Sequence, residues 1–171
     1  MKISVVTATF NSEATIGFTI ESFLKQSHSD KEMLVVDGAS RDGTLKIVES
    51  FGSEAIRVFS EPDRGVYDAM NKGFRLFGGD AIGFLNSDDT FHDASVLADI
   101  AAGLEAADIV YGDLNMVTDH RTKRLTRVWR GGTFRRARGL HVGRGGPQPS
   151  AVLRHAQRGC ARGHGADVVI T

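Results

Sequence analysis

Residues 3–37 read ISVVTATFNSEATIGFTIESFLKQSHSDKEMLVVD, with two β-like runs on either side of a helical one. The runs at 3–9 and 32–37 are rich in β-branched residues, which fit a pleated and half-buried surface. Between them, apolar residues recur at the spacing of one helix face, at Ile16, Ile20, Phe23 and Leu24. A strand, a helix and a second strand in this order predict a βαβ unit with parallel strands.

The same alternation continues through most of the chain. Further strands are predicted at 56–60, 81–86 and 108–113, and further helices at 42–52, 65–77 and 94–106. The run at 81–86, AIGFLN, is almost entirely apolar, which is typical of a strand buried on both faces. A hairpin is predicted over 116–129. The predicted fold class is therefore α/β, a mostly parallel sheet flanked by helices, with right-handed crossovers.

The chain joins two parts of different composition. Residues 1–134 carry 14 basic and 20 acidic side chains, together with every Phe, Tyr and Trp. Residues 135–171 carry seven Arg and one acidic residue, Asp167. Because this second part lacks apolar periodicity, it buries too little apolar surface to offset the entropy of ordering. We expect a folded domain over 1–134 and an irregular or disordered Arg/Gly-rich tail over 135–171.

Composition and motifs exclude several classes of protein. The length suits one domain, and the single cysteine, Cys160, excludes an internal disulfide framework. No stretch approaches the roughly 18 apolar residues of a transmembrane helix, and the N-terminus lacks the long apolar region of a signal peptide. Neither the dinucleotide fingerprint nor the P-loop motif occurs. We expect a cytoplasmic protein, and no nucleic-acid binding, because the basic tail has no interleaved aromatic residues for stacking.

Polar side chains follow four of the predicted strands. They stand at 9–11 after the first strand, at Asp37 after the second, at 61–63 after the third and at 86–89 after the fourth. In an open parallel sheet, ligands bind beyond the carboxyl ends of the strands. The sequence therefore predicts a binding edge, called here the carboxyl rim, that presents carboxylates and amides to one ligand.

Asp88 and Asp89 are the most informative pair on this rim. Adjacent carboxylates repel one another unless a cation lies beside them. Mg²⁺ and Mn²⁺ prefer oxygen ligands, and such ions are often held by one or two carboxylates plus substrate phosphates. The alternative is that Asp89 or Thr90 caps the next helix. Asp37 has a similar pair of interpretations, since it could bind a base or ribose or could cap its own turn.

Four motifs, in order and spacing, resemble the family-2 glycosyltransferases of the GT-A fold. They are ISVVTATFNSEATIGFTIESFLKQSH, EMLVVDGASRDGT, SEPDRGVYDAMNKGF and IGFLNSDD. The resemblance is to bacterial enzymes that build colanic-acid-like and other cell-surface polysaccharides. It implies a nucleotide-diphosphate-sugar donor, with a UDP-sugar expected, and a glycan or lipid-linked acceptor. It also implies a peripheral contact with the inner face of the membrane.

The resemblance assigns eight residues to the donor site, namely Thr7, Asn11, Asp37, Asp63, Arg64, Asn71, Lys72 and Asp88. By this assignment Thr7 and Asn11 lie by the nucleotide, and Asp37 accepts a hydrogen bond from the base. Asp88 approaches the ribose, and Asp89 together with Asp88 holds Mg²⁺ or Mn²⁺ on the diphosphate. A dication in that place neutralises the charge that develops on the departing nucleoside diphosphate.

The inverting reaction that the resemblance implies needs a base to deprotonate the acceptor hydroxyl. In the family this base is a carboxylate beyond the hairpin, but Asp167 is the only acid after Asp119 and its surroundings do not match. We assign no catalytic base, and we expect the acceptor half to be truncated or frame-shifted. Two alternatives follow: a non-catalytic nucleotide-sugar-binding remnant, or a nucleotidyltransferase, which usually has a Gly-rich basic loop after its first strand.

Overall fold

The computed structural model describes residues 1–118, 120–121 and 124–130, and the backbone of 151–154. The strands are β1 (Ile3–Thr9), β2 (Lys31–Asp37), β3 (Ile56–Ser60), β4 (Ala81–Phe84), β5 (Ile109–Tyr111), β6 (Leu114–Val117), β7 (Leu125–Trp129) and β8 (Ala151–Arg154). The helices are α1 (Ile16–Leu24), α2 (Thr44–Ser50), α3 (Val66–Leu76) and α4 (Val96–Ala106). None of these helices has the length and apolar character needed to cross a membrane.

One six-stranded sheet organises the fold, in the order β3-β2-β1-β4-β8-β5. The first four strands of this order run parallel, while β8 runs antiparallel to both of its neighbours. The strands β6 and β7 form a separate antiparallel hairpin. The predicted α/β class, the mostly parallel sheet and the hairpin are therefore confirmed.

Strand β8 differs from the expectation of an irregular tail. Residues 151–154 lie within the tail predicted over 135–171, yet their backbone pairs with β4 on one side and with β5 on the other. The brief apolar run at 151–153 is too short to show a periodicity, and both pairing partners are distant in sequence, so its place in the sheet was not predicted. The rest of the predicted tail, including Asp167, lies outside the described residues.

The sheet has an apolar core on each face. Every residue of β1 is buried, as expected for a central strand covered on both sides. On one face, side chains from α1, α2 and α4 pack around Ile3 and Val5, with Phe23 fully buried among them. On the other face, α3 packs against Val6, and a Cβ added at Gly73 would overlap that valine. The absence of a side chain at Gly73 therefore lets α3 approach the sheet.

At the amino ends of the parallel strands, opposite the carboxyl rim, a buried carboxylate, Glu32, holds the chain together. It accepts hydrogen bonds from the Lys2 ammonium at 2.6 Å, from the Ser4 hydroxyl at 2.6 Å and from the Gly78 amide at 2.8 Å. Burial favours the neutral acid and by itself would raise the pKa of Glu32. Together, the three hydrogen-bond donors outweigh this effect and lower the pKa below its ordinary value. The network joins β1 and β2 to the turn that precedes β4.

Candidate functional site

The carboxyl ends of the first three parallel strands lie level with one another. Thr9, the last residue of β1, pairs with Asp37 of β2, which in turn pairs with Ser60 of β3. This register brings the polar residues after each strand to a common edge, as the sequence predicted. The carboxyl rim is therefore a continuous surface made from separate loops.

Asp37 is fully buried and holds the turn that follows it. Its carboxylate accepts hydrogen bonds from the Ser40 amide at 3.0 Å, from the Ser40 hydroxyl and from the Ser60 hydroxyl at 2.7 Å. Both of its oxygens are engaged within the protein. The turn-capping interpretation of Asp37 is thus confirmed, while the contact with a base stays a prediction.

Asn11 joins the loop after β1 to the loop after β2. Its side-chain oxygen accepts a hydrogen bond from the Arg41 amide at 2.9 Å, and its own amide donates to the Ser40 hydroxyl at 2.8 Å. Its φ of 49° lies in the left-handed region, where Asn is among the few residues tolerated. Asn11 therefore sets the backbone geometry of the rim next to Asp37.

Two threonine hydroxyls near the end of β1 are buried without a hydrogen-bond partner in the described part of the chain. They belong to Thr7, which is fully buried, and to Thr9, which is 4% exposed. A buried hydroxyl without a partner costs about 1–3 kcal/mol. Thr7 lies two residues inside the strand, whereas Thr9 is its last residue. Thr9 belongs to the polar residues predicted at the strand ends, although the resemblance does not assign it to the donor site.

The loop between β3 and α3 folds back onto the turn after β2. The Asp63 carboxylate accepts a hydrogen bond from the Gly65 amide at 2.9 Å. A Cβ added at Gly38 would lie 2.6 Å from the nearer Asp63 oxygen, so the two residues are in direct contact. The structure thus places Asp63 beside Gly38, the residue that follows Asp37, and the contact of Asp63 with the donor stays a prediction. Arg64 is exposed in the same loop.

Lys72 anchors this loop to α3. Only 9% of the residue is exposed, and its ammonium donates to the Pro62 carbonyl at 2.8 Å and pairs with the Glu61 carboxylate at 2.9 Å. A third contact, to the Asp68 carboxylate, is longer at 3.9 Å. The Lys72 charge is therefore already partnered within the protein. Asn71, its neighbour on α3, is half-buried.

Asp88 and Asp89 follow β4 in unlike environments. Asp88 is exposed, whereas Asp89 is half-buried and accepts a hydrogen bond from the Asn86 side-chain amide at 2.9 Å. Burial raises the pKa of Asp89, and the Asp88 charge adds to this rise, while Asn86 and His120 oppose it. The helix-capping alternative is wrong, because α4 begins only at Val96 and its cap is Ser95.

A direct contact joins the Asp88–Asp89 turn to the loop after β1. The hydroxyls of Ser87 and Ser12 are 2.9 Å apart, and the Ser87 carbonyl accepts a hydrogen bond from the Thr19 hydroxyl at 3.0 Å. These bonds connect the end of β4 to the start of α1. The pair of aspartates therefore belongs to the same rim as Asn11 and Asp37.

The aspartate pair fits a dication that also binds a phosphate ligand. No group of three His, Cys, Asp or Glu side chains with metal-binding geometry is found among the described residues. A closed site made only of such side chains is therefore absent from that part of the chain. Asp88 and Asp89 offer two adjacent hard oxygen ligands whose mutual repulsion a cation would relieve. Mg²⁺ commonly binds through this number of carboxylates, and substrate phosphates complete its shell.

His120, at the tip of the hairpin, contacts the other side of this site. Its ring stacks on that of Phe18, with centroids 5.1 Å apart and planes at 10°. His120 also acts electrostatically on Asp89. No local pattern pointed to this histidine, because its stacking partner belongs to α1, far away along the chain. The contact brings the hairpin over the end of β4.

Comparison with known proteins shows which family this chain belongs to. The family model described as glycosyl transferase family 2 matches residues 4–155. A PGL/p-HBAD biosynthesis glycosyltransferase of Mycobacterium bovis is 38% identical over 119 residues, which cover 66% of this chain and 46% of that protein. A putative teichuronic acid biosynthesis glycosyltransferase of Bacillus subtilis, TuaG, is 38% identical over 90 residues, or 51% of this chain and 36% of that protein.

The structural comparison agrees with the sequence matches. S. aureus TarS 1-349, in a crystal structure with UDP-GlcNAc, has a TM-score of 0.65 and 30% identity, and the match covers 69% of this chain and 36% of the TarS 1-349 chain. The likeness confirms the predicted GT-A fold. This chain spans less than half the length of each of these three proteins. Since the family model matches most of it, the chain belongs to glycosyl transferase family 2.

Proposed function

We propose that this chain binds the donor in a glycosyltransferase that moves a sugar from a nucleotide-diphosphate sugar to a glycan or lipid-linked acceptor. One observation carries the proposal. The loops bearing Asp37, Asp63 and Asp89 share one rim, and the contact between Ser12 and Ser87 joins its two halves. A rim of this kind, at the carboxyl ends of parallel strands, is where open α/β sheets bind nucleotides.

The proposed donor is a UDP-sugar. The structure of TarS holds UDP-GlcNAc at 30% identity to this chain, which supports a uridine nucleotide here. The proposed donor site contains Thr7, Asn11, Asp37, Asp63, Arg64, Asn71, Lys72 and Asp88, and we add Thr9, whose buried hydroxyl has no partner among the described residues. Asn11, Asp37 and Lys72 would act mainly by holding the loops in place, since their polar atoms already bind neighbouring groups.

The proposed cofactor is Mg²⁺ or Mn²⁺ held by Asp89 and Asp88. When bound, the ion would supply positive charge to the diphosphate that leaves with the nucleoside. Asn86 holds the Asp89 carboxylate in a fixed orientation, and the half-buried position of Asp89 strengthens its attraction for a cation. Asp88, being exposed, is free to turn towards either the ion or a sugar hydroxyl.

In the proposed reaction, the bond between the anomeric carbon and the diphosphate breaks while a bond to the acceptor oxygen forms. The acceptor hydroxyl gives its proton to a base, and the nucleoside diphosphate leaves. The rim contributes orientation of the donor, which is a large part of catalysis in such a displacement. TuaG is named for teichuronic acid biosynthesis, and this likeness supports a role in polysaccharide biosynthesis. The place that we propose for the reaction is the cytoplasmic side of the cell envelope.

A peripheral contact with the membrane is also proposed, through the β6–β7 hairpin. There Met116 is 39% exposed, and its cross-strand partner on the same face is the exposed Arg127. Exposed apolar and basic side chains together favour binding to anionic lipid surfaces. Sedimentation with vesicles should show binding that requires anionic lipid and that Arg127→Glu weakens. Equal binding to neutral vesicles would reject this contact.

Calorimetric titration with UDP, with and without Mn²⁺, tests the donor site. We expect Mn²⁺ to strengthen binding at least tenfold, or about 1.4 kcal/mol. Asp88→Asn and Asp89→Asn should each remove most of that gain. Asp30→Asn makes the same change of charge at the opposite edge of the sheet, near the N-terminal amine, and should leave binding unchanged. Binding that ignores the metal, or no binding, would contradict the assignment.

A further inference from the structure

Three polar side chains of α1 and the turn after it bond to the backbone of the segment that carries the aspartate pair. They are Thr19, Ser22 and Gln26, called here the polar stripe, and Thr19 and Gln26 are both buried. Residues three and four positions apart are neighbours on one side of a helix. The segment that the stripe meets, residues 85–95, connects β4 to α4 and lies outside any helix or strand.

The polar stripe supplies partners that this segment does not find in regular structure, because buried backbone N–H and C=O groups must be paired. The Ser22 hydroxyl accepts a hydrogen bond from the Phe91 amide at 3.1 Å. The Gln26 side-chain amide donates to the Asp93 carbonyl at 2.6 Å, and its oxygen accepts from the Leu97 amide at 3.0 Å. Since Leu97 lies in the first turn of α4, Gln26 also satisfies an amide that its own helix leaves unpaired.

Thr19 makes the bond of the stripe that lies nearest to the aspartate pair. It is fully buried, and its hydroxyl donates to the Ser87 carbonyl at 3.0 Å. That carbonyl and the Asp88 amide belong to one planar peptide unit. The Thr19 bond therefore fixes the orientation of the peptide that leads into Asp88. The same turn is closed by the Asp89 amide, which donates to the Asn86 carbonyl at 3.0 Å.

We propose that Thr19 is a positioning residue for the dication site. By holding the Ser87–Asp88 peptide, it keeps the carboxylates of Asp88 and Asp89 available to one ion, although it is not itself a ligand. Groups that orient the ligands of a metal commonly control its affinity, and a turn that is fixed before binding lowers the cost of ordering it. The inference rests on the proposed function and adds a residue of α1 to the requirements of the site.

Thr19→Val tests the proposal on the full chain, because valine keeps the shape of threonine and removes the hydroxyl. Calorimetric titration gives the affinity for UDP with and without Mn²⁺. Thr19→Val should weaken UDP binding in the presence of Mn²⁺ about tenfold and should leave binding without metal unchanged. A variant that keeps the gain from Mn²⁺, or that loses both affinities equally, would overturn the proposal.

A second pair of variants isolates the hydroxyl. Thr19→Ser and Thr19→Ala both lack the methyl group of threonine, and they differ only in the hydroxyl. Thr19→Ser should retain the gain from Mn²⁺, whereas Thr19→Ala should lose most of it, so this pair also decides the question if the valine variant does not fold. An equal gain in the two variants would show that the hydroxyl does not position the site.

Ser4→Ala is the control for a general loss of stability. The buried Ser4 hydroxyl donates to the Glu32 carboxylate at 2.6 Å and accepts from the Gly79 amide at 2.9 Å, at the opposite end of the strands. Its removal should lower the urea midpoint and leave the gain from Mn²⁺ unchanged. If Ser4→Ala reduced the gain as much as Thr19→Val does, the gain would report stability alone and the proposal would fail.

Hydrogen exchange, measured by mass spectrometry without metal, tests the Thr19 bond itself. In Thr19→Val the amides of residues 86–91 should exchange faster than in the wild type, relative to the amides of β2. In Ser4→Ala this ratio should stay at its wild-type value. Unchanged exchange in Thr19→Val would overturn the proposal, because the turn would then be held without Thr19.

The same titrations separate this inference from the proposed function. If the wild type shows the gain from Mn²⁺ and Thr19→Val keeps it, the positioning role fails while the donor site stands. If the wild type shows no gain, the dication assignment fails, and the positioning role of Thr19 fails with it.

Discussion

Replacement of Glu32 by Gln tests the buried network that holds β1, β2 and the turn before β4. The side chain is 7% exposed. One of its oxygens accepts from Ser4 and Gly78, and the other accepts from Lys2. Glutamine keeps the shape and can still accept from Ser4 and Gly78. Its amide group, however, then faces the Lys2 ammonium, so that two donors meet.

The expected loss in the free energy of unfolding is about 2–3 kcal/mol at pH 7. A hydrogen bond to a charged group contributes about 1.5–3 kcal/mol, and here one such bond is lost while two are weakened. Removal of one partner from a fully buried ion pair costs about 3–5 kcal/mol. That figure is an upper bound for this site, because Lys2 is 38% exposed and can turn to water.

Urea unfolding followed by far-ultraviolet circular dichroism measures this loss. Glu21→Gln is the matched control, since Glu21 pairs with Lys25 at 3.4 Å on the exposed surface of α1. Exposed pairs of this type contribute about 0.3–0.5 kcal/mol. A loss for Glu32→Gln as small as that of the control would refute the view that burial makes this carboxylate important.

The pH dependence gives a second check on Glu32. Its pKa is lower in the folded protein than its ordinary value. Its contribution to stability is therefore complete above the unfolded pKa and is lost as the pH falls through the folded value. The difference in the free energy of unfolding between the wild type and Glu32→Gln should therefore shrink below about pH 4. A difference that stays constant from pH 7 into this acid range would contradict the argument.

Three further substitutions test contacts that shape the rim. Gly73→Ala should lower the free energy of unfolding by about 1–3 kcal/mol, because the added methyl group overpacks α3 against β1. Val6→Ala in the same chain should restore part of this loss in urea unfolding. If the losses of the two single variants simply add in the double variant, the contact between Gly73 and Val6 is rejected. Lys72→Met should lower stability by about 1–2 kcal/mol, because Pro62 loses a charged donor; an unchanged urea midpoint would show that this bond contributes little. Asn11→Ala should lower the free energy of unfolding by about 1 kcal/mol more than Asn11→Gly, because of the two only glycine adopts a φ of 49° without strain. A glycine variant less stable than the alanine variant would contradict this reasoning.

The alternation of apolar patterns was enough to predict the main elements and the place of the site. The β-branched run of β1 predicted a strand, and the apolar run before Asn86 predicted one buried on both faces, since such strands need apolar side chains throughout. Parallel strands end at one edge, so the polar residues after them had to meet there. Asp88 and Asp89 were therefore placed on the rim from order and spacing alone.

Contacts between distant segments required the tertiary structure. The pairing of β8 with β4 and β5, and the stacking of His120 on Phe18, join residues that no local pattern relates. Whether Asp89 capped a helix or stood free for a cation depended on where α4 begins, which adjacent sequence left ambiguous. Periodicity reports which face of an element is apolar, but register, packing distance and the partner of each buried charge arise only when the elements are brought together.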